Sequence, residues 1–334
     1  MTARADANGP QPTDTVAGGP VVGGPDVLYV GGMPRSGSTL TDLMLDRLPG
    51  HVAVGELFYL WRNGLVHDGL CACGATFSAC PFWTAVGAKA FGGWSAVDGE
   101  RVMSLQDRVD ATSRIPLLLA PARPAPFQRA LDEYTQVLHS LYAAIAEVAG
   151  ARVVVDSSKR PSLAFVLRQI PGLHLTVAHV LRDPRGVAYS FSKHVELPAG
   201  AALGSQMPRT VTRKVARRWV TVNALISALS LAGVPGVRVR YEDLVAQPAR
   251  ELARIAQAEG LGAAGIDFGF LTDDGGETTM TVPETHVVAG GRIRLGGGTM
   301  TLRLDDAWRR EMPPKARRLV STLTLPSRLR YGYR

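Results

Sequence analysis

The chain has 334 residues, 46% of them hydrophobic, with a formal net charge of +8. That is enough apolar content for a large core, and length alone would allow two or three domains. The positive balance suits an anionic ligand or a nucleic acid. However, the basic residues are dispersed apart from clusters at 213–218 and 309–318, and no RNP motif, zinc-finger spacing or basic heptad run accompanies them. No nucleic-acid partner is therefore expected.

Residues 1–25 are rich in Gly, Pro, Ala and polar residues and carry no apolar signal-peptide region. They are expected to be disordered, and the protein cytoplasmic. No apolar run is long enough for a membrane span. The most tempting stretch, 220–234, is interrupted by Asn223, Ser227 and Ser230 and reads as a buried helix.

Residues 27–30 (Val-Leu-Tyr-Val) read as a buried strand, broken by a Gly/Pro/Ser run. A helical pattern then starts at Thr39, with Leu40, Leu43, Met44 and Leu48 on one face. Strand, Gly-rich turn and helix N-terminus together bind phosphate, because turn amides converge and the helix dipole favours an anion. Gly32 to Thr39 has the G-x-x-x-x-G-x-[ST] frame of the ATP-binding P-loop, yet Ser38 stands where that motif requires lysine. The cation of this turn is Arg35.

Residues 51–57 are extended and lead into Phe58-Tyr59-Leu60-Trp61. Residues 62–98 read as irregular and hold all three cysteines; helical patterns dominate from about 100 to 149. A strand at 152–156 precedes Ser157-Ser158-Lys159 and a helix with Pro161 near its start. A strand at 173–181 runs into Arg182, and Asp183 caps a helix with Pro184 at its first position. A loop at 196–208, a long helix at 209–232, a strand at 237–241 and an amphipathic helix at 248–259 follow. The remainder is Gly-rich, with a last short helix near 305–310. Alternating strands and helices predict an α/β fold: a three-layer, P-loop-like parallel sheet with helices on both faces. Ligands of such sheets bind beyond the carboxyl ends of the strands, where every motif named here lies.

Pro34-Arg35-Ser36-Gly37-Ser38-Thr39-Leu40 resembles the 5′-phosphosulfate loop of sulfotransferases that use 3′-phosphoadenosine-5′-phosphosulfate (PAPS). The stretch from Val180 to Ser190 resembles the same family's 3′-phosphate motif, a strand-end Arg followed eight residues later by a Ser, here Arg182 and Ser190. The resemblance covers most of 26–334 and is weakest between about 62 and 140. Arg rather than Lys at position 35 is closer to the tyrosylprotein and carbohydrate branches than to the cytosolic one. The resemblance implies one domain over 26–334, since its motifs must converge on one nucleotide, with 62–140 as a substrate-side cap.

It also implies roles. Arg35 would stabilise the leaving oxygen; alternatively it is a surface Arg on a tight turn. Ser36, Gly37, Ser38, Thr39 and Leu40 would supply amides, and the hydroxyls of Ser38 and Thr39 could bond phosphate or merely cap the helix. Glu56, after Gly55, resembles the base of the tyrosylprotein branch, for which burial would have to raise its pKa; the alternative is a solvated or salt-bridged Glu, with His51 and His286 as fallback bases. Lys159 resembles a second cation acting on the sulfonate, unless Asp156 holds it as a plain ion pair. Arg182 and Ser190 would bind the 3′-phosphate. Asp183 reads as a cap and Arg185 as solvated. Gly290, Gly291, Arg292 and Arg294 resemble a C-terminal loop that closes over the nucleotide, and Trp219 is placed either near the adenine or in the core.

Cys71, Cys73 and Cys80 with His67 give H-x₃-C-x-C-x₆-C, which matches no common zinc module. They read as reduced structural thiols, with zinc binding the alternative and a Cys71 or Cys73 to Cys80 disulfide requiring an oxidising setting; no metal is assigned. The expected activity is sulfonate transfer from PAPS to a small-molecule, natural-product or carbohydrate hydroxyl, releasing 3′-phosphoadenosine-5′-phosphate (PAP) without a metal. The rivals are a P-loop nucleotide kinase, which would need the missing lysine and Mg²⁺, and a non-catalytic nucleotide-binding protein.

Overall fold

The structure, a computed structural model, describes residues 24–193, 211–262, 266–288 and 297–334. Its centre is β1 (Asp26–Gly31), whose side chains alternate between two apolar cores. Val27 and Tyr29 enter one core, and Leu28 and Val30 enter the other, all at 1% exposure or less. Strand periodicity explains the division, and each such side chain fully buried is worth roughly 1.5–3 kcal/mol.

Four parallel strands flank or extend β1: β2 (His51–Gly55), β3 (Val153–Asp156), β4 (His174–Leu181) and β5 (Gly236–Arg240), in the order β2-β3-β1-β4-β5. One face packs on α5 (Ala125–Ala149), α6 (Pro161–Leu167) and α8 (Thr212–Leu231). The other packs on α1 (Ser38–Leu45), α9 (Tyr241–Ala246), α10 (Pro248–Ala258) and a small antiparallel sheet of β6 (Leu271–Asp274), β7 (Glu277–Val282) and β8 (Gly298–Thr301). The sheet is therefore parallel and covered on both faces, as its near-continuous apolar strands require. The chain order leaves β1 between strands reached from opposite directions, a switch point where ligands bind at the carboxyl ends.

Between β2 and β3 the chain forms a 3-10 turn (Leu57–Tyr59), a π-helical stretch (Leu60–Val66), then α2 (Pro81–Phe91), α3 (Gly99–Val109) and α4 (Ile115–Leu119) before α5. Residues 62–98 are thus more ordered than expected: α2 starts with Pro81 at its first position and buries Trp83 and Val86. The C-terminal part holds more than one helix, with α11 (Trp308–Glu311), α12 (Pro314–Leu323) and α13 (Leu325–Arg330) after the small sheet, and α7 (Pro184–Ser192) follows β4. α1 begins one residue before the expected start and ends at Leu45 rather than Leu48. Trp219 is fully buried, donates to the Arg182 carbonyl at 3.0 Å and packs edge-on to Tyr331, which places it in the core rather than against a base. Among the described residues no helix is long and apolar enough to cross a membrane.

Candidate active site

Each strand of the main sheet delivers a side chain at its carboxyl end. Glu56 follows β2, Lys159 follows β3, Arg35 follows β1, Arg182 follows β4 and Tyr241 follows β5. The loop after β1 is shaped by two glycines. A Cβ on Gly32 would lie 2.2 Å from the Val180 carbonyl oxygen, and one on Gly37, at φ +94°, would lie 2.5 Å from the Tyr241 ring. Tyr241 fills the space under the loop, and the Arg182 guanidinium stacks on its ring at 4.6 Å. Gly37 itself is the N-cap of α1, so Ser38 and Thr39 are not caps; they and Leu40 lie in the first turn, where amides lack intrahelical partners.

Three non-glycine residues among those described have left-handed backbones: Arg35 (φ 73°), Asp68 (φ 44°) and Lys159 (φ 62°). Two of the three are the cations the sequence motifs single out. Strain of this kind persists where surrounding structure holds it and clusters at functional sites. Here it aims two cations toward the same end of the sheet.

Lys159 Nζ stands 3.0 Å from Glu56 Oε1, the two side chains being 8% and 19% exposed. The Glu56 alternative of a salt-bridged carboxylate is therefore realised, with a partner 103 positions away in the chain. The Asp156 alternative for Lys159 is not. Asp156 instead accepts from the Ser158 amide at 2.8 Å, the Ser158 hydroxyl at 2.5 Å and the Tyr142 hydroxyl at 2.5 Å. Ser158 Oγ in turn accepts from the Phe58 amide at 2.9 Å, and the Ser157 amide donates to the Gly55 carbonyl at 2.8 Å. This buried network ties the turn carrying Glu56 to the turn carrying Lys159, so the ion pair rests on fixed backbone.

Arg182 is 6% exposed. It donates to the Arg35 carbonyl at 3.1 Å and the Asp305 carbonyl at 2.6 Å, and pairs with the Asp305 carboxylate at 3.0 Å. Burial raises the Asp305 carboxyl, but the bonds to Arg182 outweigh that and hold it below its ordinary value. Burial and the neighbouring Arg182 charge lower the Arg35 guanidinium. Two guanidiniums that disfavour each other make a place where an anion relieves repulsion. Ser36 Oγ adds a second sign: it is buried in the loop with no hydrogen-bond partner among the described residues. An orphaned hydroxyl beside two cations fits a group rich in phosphate or sulfonate oxygens.

Ser190 lies half-buried on α7 and forms no hydrogen bond with Arg182 among the described residues. Asp183 caps α7 as expected, accepting from the Arg185 amide at 2.8 Å. Arg185 is not solvated: it pairs with Asp183, donates to the Arg334 carbonyl at 2.7 Å and stacks on Trp308 at 4.5 Å. Gly290, Gly291, Arg292, Arg294 and the loop at 196–208 lie outside the described residues. The fallback bases sit elsewhere. His51 begins β2, at the opposite end of the sheet, with Glu259 3.2 Å away, and His286 lies among the cysteines. His67 is exposed and outside that cluster. A cleft of about 380 Å³ between α3 and α5, with Arg101, Arg108, Arg129 and Glu133 in its lining, shares no residue with the strand-end site.

Sequence reasoning missed Asp42, Tyr241 and Asp305. Asp42 lies on α1, fully buried, accepts from the Ser157 hydroxyl and is raised by burial to about 8. The Ser157 bond and the Lys159 charge oppose that rise but do not cancel it. Its folded pKa lies above the unfolded value, so the native state holds the extra proton and stability falls as pH rises from about 4 to 8. Asp42→Asn mimics the neutral acid. The variant is expected to match wild type near pH 3, where the carboxyl is protonated in both states, and to exceed it in Tm at pH 8, the difference growing by at most about 1.4 kcal/mol per pH unit between. Parallel melting curves across that range would show Asp42 to be ionised and compensated if the difference stayed flat.

The chain belongs to the sulfotransferase family, whose sequence profile matches residues 26–264. No curated protein sequence matches it significantly. Similar solved structures include the sulfotransferase domain from the curacin biosynthetic pathway, at 16% identity and a TM-score of 0.44, covering 93% of this chain and 99% of that one. Sulfotransferase STF9 from Mycobacterium avium is similar at 12% identity and a TM-score of 0.38, covering 73% of this chain and 65% of its own. Sulfotransferase STF1 from Mycobacterium tuberculosis H37Rv is similar at 15% identity and a TM-score of 0.36, covering 72% and 68%.

Proposed function

We propose that this protein transfers a sulfonate group from PAPS to a hydroxyl of a small-molecule or carbohydrate acceptor. The observation that carries the reading is the convergence of Arg35, Glu56, Lys159 and Arg182 at adjacent strand ends, with Ser36 Oγ, in the loop that carries Arg35, buried and unpaired among the described residues. PAPS, when bound, supplies the sulfonate and a phosphate leaving group. Ser36, Gly37, Ser38, Thr39 and Leu40 hold the 5′ end through loop amides and hydroxyls. Arg182 and Ser190 hold the 3′-phosphate, with Gly290, Gly291, Arg292 and Arg294 closing over it. A phosphate at Arg182 competes with the Asp305 carboxylate for the same guanidinium.

In the transfer, the acceptor oxygen bonds to sulfur, the sulfur–phosphate oxygen bond breaks, and the acceptor proton passes to a Glu56 carboxylate oxygen. Lys159 fixes that carboxylate in place for the acceptor. Arg35 stabilises charge growing on the departing oxygen. It cannot donate a proton at working pH, so its part is electrostatic. Fixed cations thus do in this reading what Mg²⁺ does in a kinase. The reading treats 26–334 as one domain, places the acceptor against the segment at 62–140, and locates the enzyme in the cytoplasm, where thiols stay reduced.

Calorimetric titration with PAP tests this, beside ATP with and without added Mg²⁺. Metal-independent PAP binding is expected. Arg182→Ala should weaken it about 10- to 100-fold, the range of a lost charge-assisted hydrogen bond. Arg182 is knit into the fold, so Ser190→Ala serves as the milder companion, with a loss of a few-fold. ATP binding that requires Mg²⁺, with no PAP binding, would replace this reading with a kinase.

A further inference from the structure

Cys71, Cys73, Cys80 and His286 bring one ligand atom each to a single point, all four atoms lying within 4.8 Å of one another. The sulfurs of Cys73 and Cys80 are 3.7 Å apart, as are those of Cys80 and Cys71. His286 Nδ1 lies 3.4 Å from the Cys80 sulfur and 3.9 Å from that of Cys71. Zinc bonds thiolate at 2.3 Å and imidazole at 2.0–2.1 Å, which sets tetrahedral edges of about 3.8 Å between sulfurs and about 3.5 Å from sulfur to nitrogen. These four distances lie close to those edges. All three cysteines are free.

The local backbone is built to present these ligands. Cys71 and Cys73 sit in a tight turn closed by an antiparallel bridge between Leu70 and Thr76, with Gly74 at φ +89°. Cys80 immediately precedes α2, and its sulfur is buried with that of Cys71. His286 comes from the other end of the chain, after β7, and is held on three sides. Its ring stacks on Phe82 at 4.8 Å and 7°, its carbonyl accepts from Trp83 Nε1 at 2.7 Å, and the next residue's carbonyl accepts from the Ala72 amide at 2.9 Å. An orienting shell of this kind fixes which ring nitrogen faces a metal.

We propose that Cys71, Cys73, Cys80 and His286 form a structural zinc site that braces the segment between β2 and α2 against the strand β7 side of the molecule. The set is four-coordinate and leaves no open position, which marks it as structural rather than catalytic. It shares no residue with the strand-end site and holds whether or not the PAPS reading is correct. The histidine is the part no sequence spacing could reveal, since 206 positions separate it from Cys80.

The untagged full chain, purified without chelator, is expected to carry about one zinc ion by elemental analysis. The metal-free chain titrated with Co²⁺ should develop the intense thiolate charge-transfer bands of a tetrahedral sulfur-rich site. Zinc should raise its Tm, because metal binds the folded state. Cys73 is exposed, so Cys73→Ser tests the site without opening the core; it should weaken zinc binding at least ~10-fold while the fold is retained. His286→Ala should lose zinc and His67→Ala should keep it. A wild-type chain that holds no zinc and gives no cobalt–thiolate bands overturns the proposal. So does zinc that survives His286→Ala but not His67→Ala.

Discussion

Glu56→Gln is expected to lower kcat by about 10²- to 10⁴-fold, the contribution of a positioned general base, while PAP affinity stays within a factor of about three. The substitution is nearly isosteric. The amide oxygen can still accept from Lys159 Nζ, where the pair now stands at 3.0 Å, so the turn and its buried Asp156–Ser158 support remain. What is lost is the ability to take a proton. The readout is PAP release from PAPS in the presence of phenolic and sugar acceptors, measured beside calorimetric PAP binding. Lys159→Ala serves as a contrast. It leaves a largely buried carboxylate without its cation, so it should cost stability as well as rate. A Glu56→Gln enzyme that turns over within a few-fold of wild type would remove Glu56 as the base.

The elements most legible in the sequence were those whose evidence is local. The apolar run at 27–30 and the Val-Val-Val-Asp run at 153–156 became β1 and β3 within a residue or two. Strand-end polar residues follow from such runs, which is why the sequence alone places Arg35, Lys159 and Arg182 at one edge of the sheet. Partnership across the chain was not legible. Nothing near Glu56 announces Lys159, and nothing near Cys80 announces His286. Asp42 sits beside the apolar residues of α1, where the pattern gives no reason to expect a buried acid. Tyr241 read as the last residue of a strand; it begins α9 and fills the space beneath Gly37. Trp219 was ambiguous because an indole on an apolar helix suits a core and a base-stacking site equally, and only burial decides.

Arg35 has both a side chain and a backbone at stake, and the two can be separated. Its guanidinium lies near Arg182, while its carbonyl accepts from Arg182 Nη1 at 3.1 Å, so the residue links the loop after β1 to the end of β4. Its backbone stands at φ 73°, a conformation that costs a non-glycine residue roughly 1–3 kcal/mol. Arg35→Ala would remove the side chain and keep the strain. Arg35→Gly removes the side chain and relaxes the strain, at about 0.5–1 kcal/mol of added freedom in the unfolded chain. Stability should therefore change little or rise in the glycine variant, and the carbonyl remains for Arg182. The rate should nevertheless fall by about 10²- to 10³-fold, as when one preorganised donor at a developing charge is removed. PAP affinity should fall less than the rate, since the effect is greatest when the leaving oxygen takes up charge. Arg35→Lys should recover only part of the loss, because an ammonium on a flexible stem does not reproduce a planar fork. If the glycine variant kept its rate while the alanine variant lost it, the backbone link to Arg182 would be the functional part of Arg35 and the guanidinium would be dispensable.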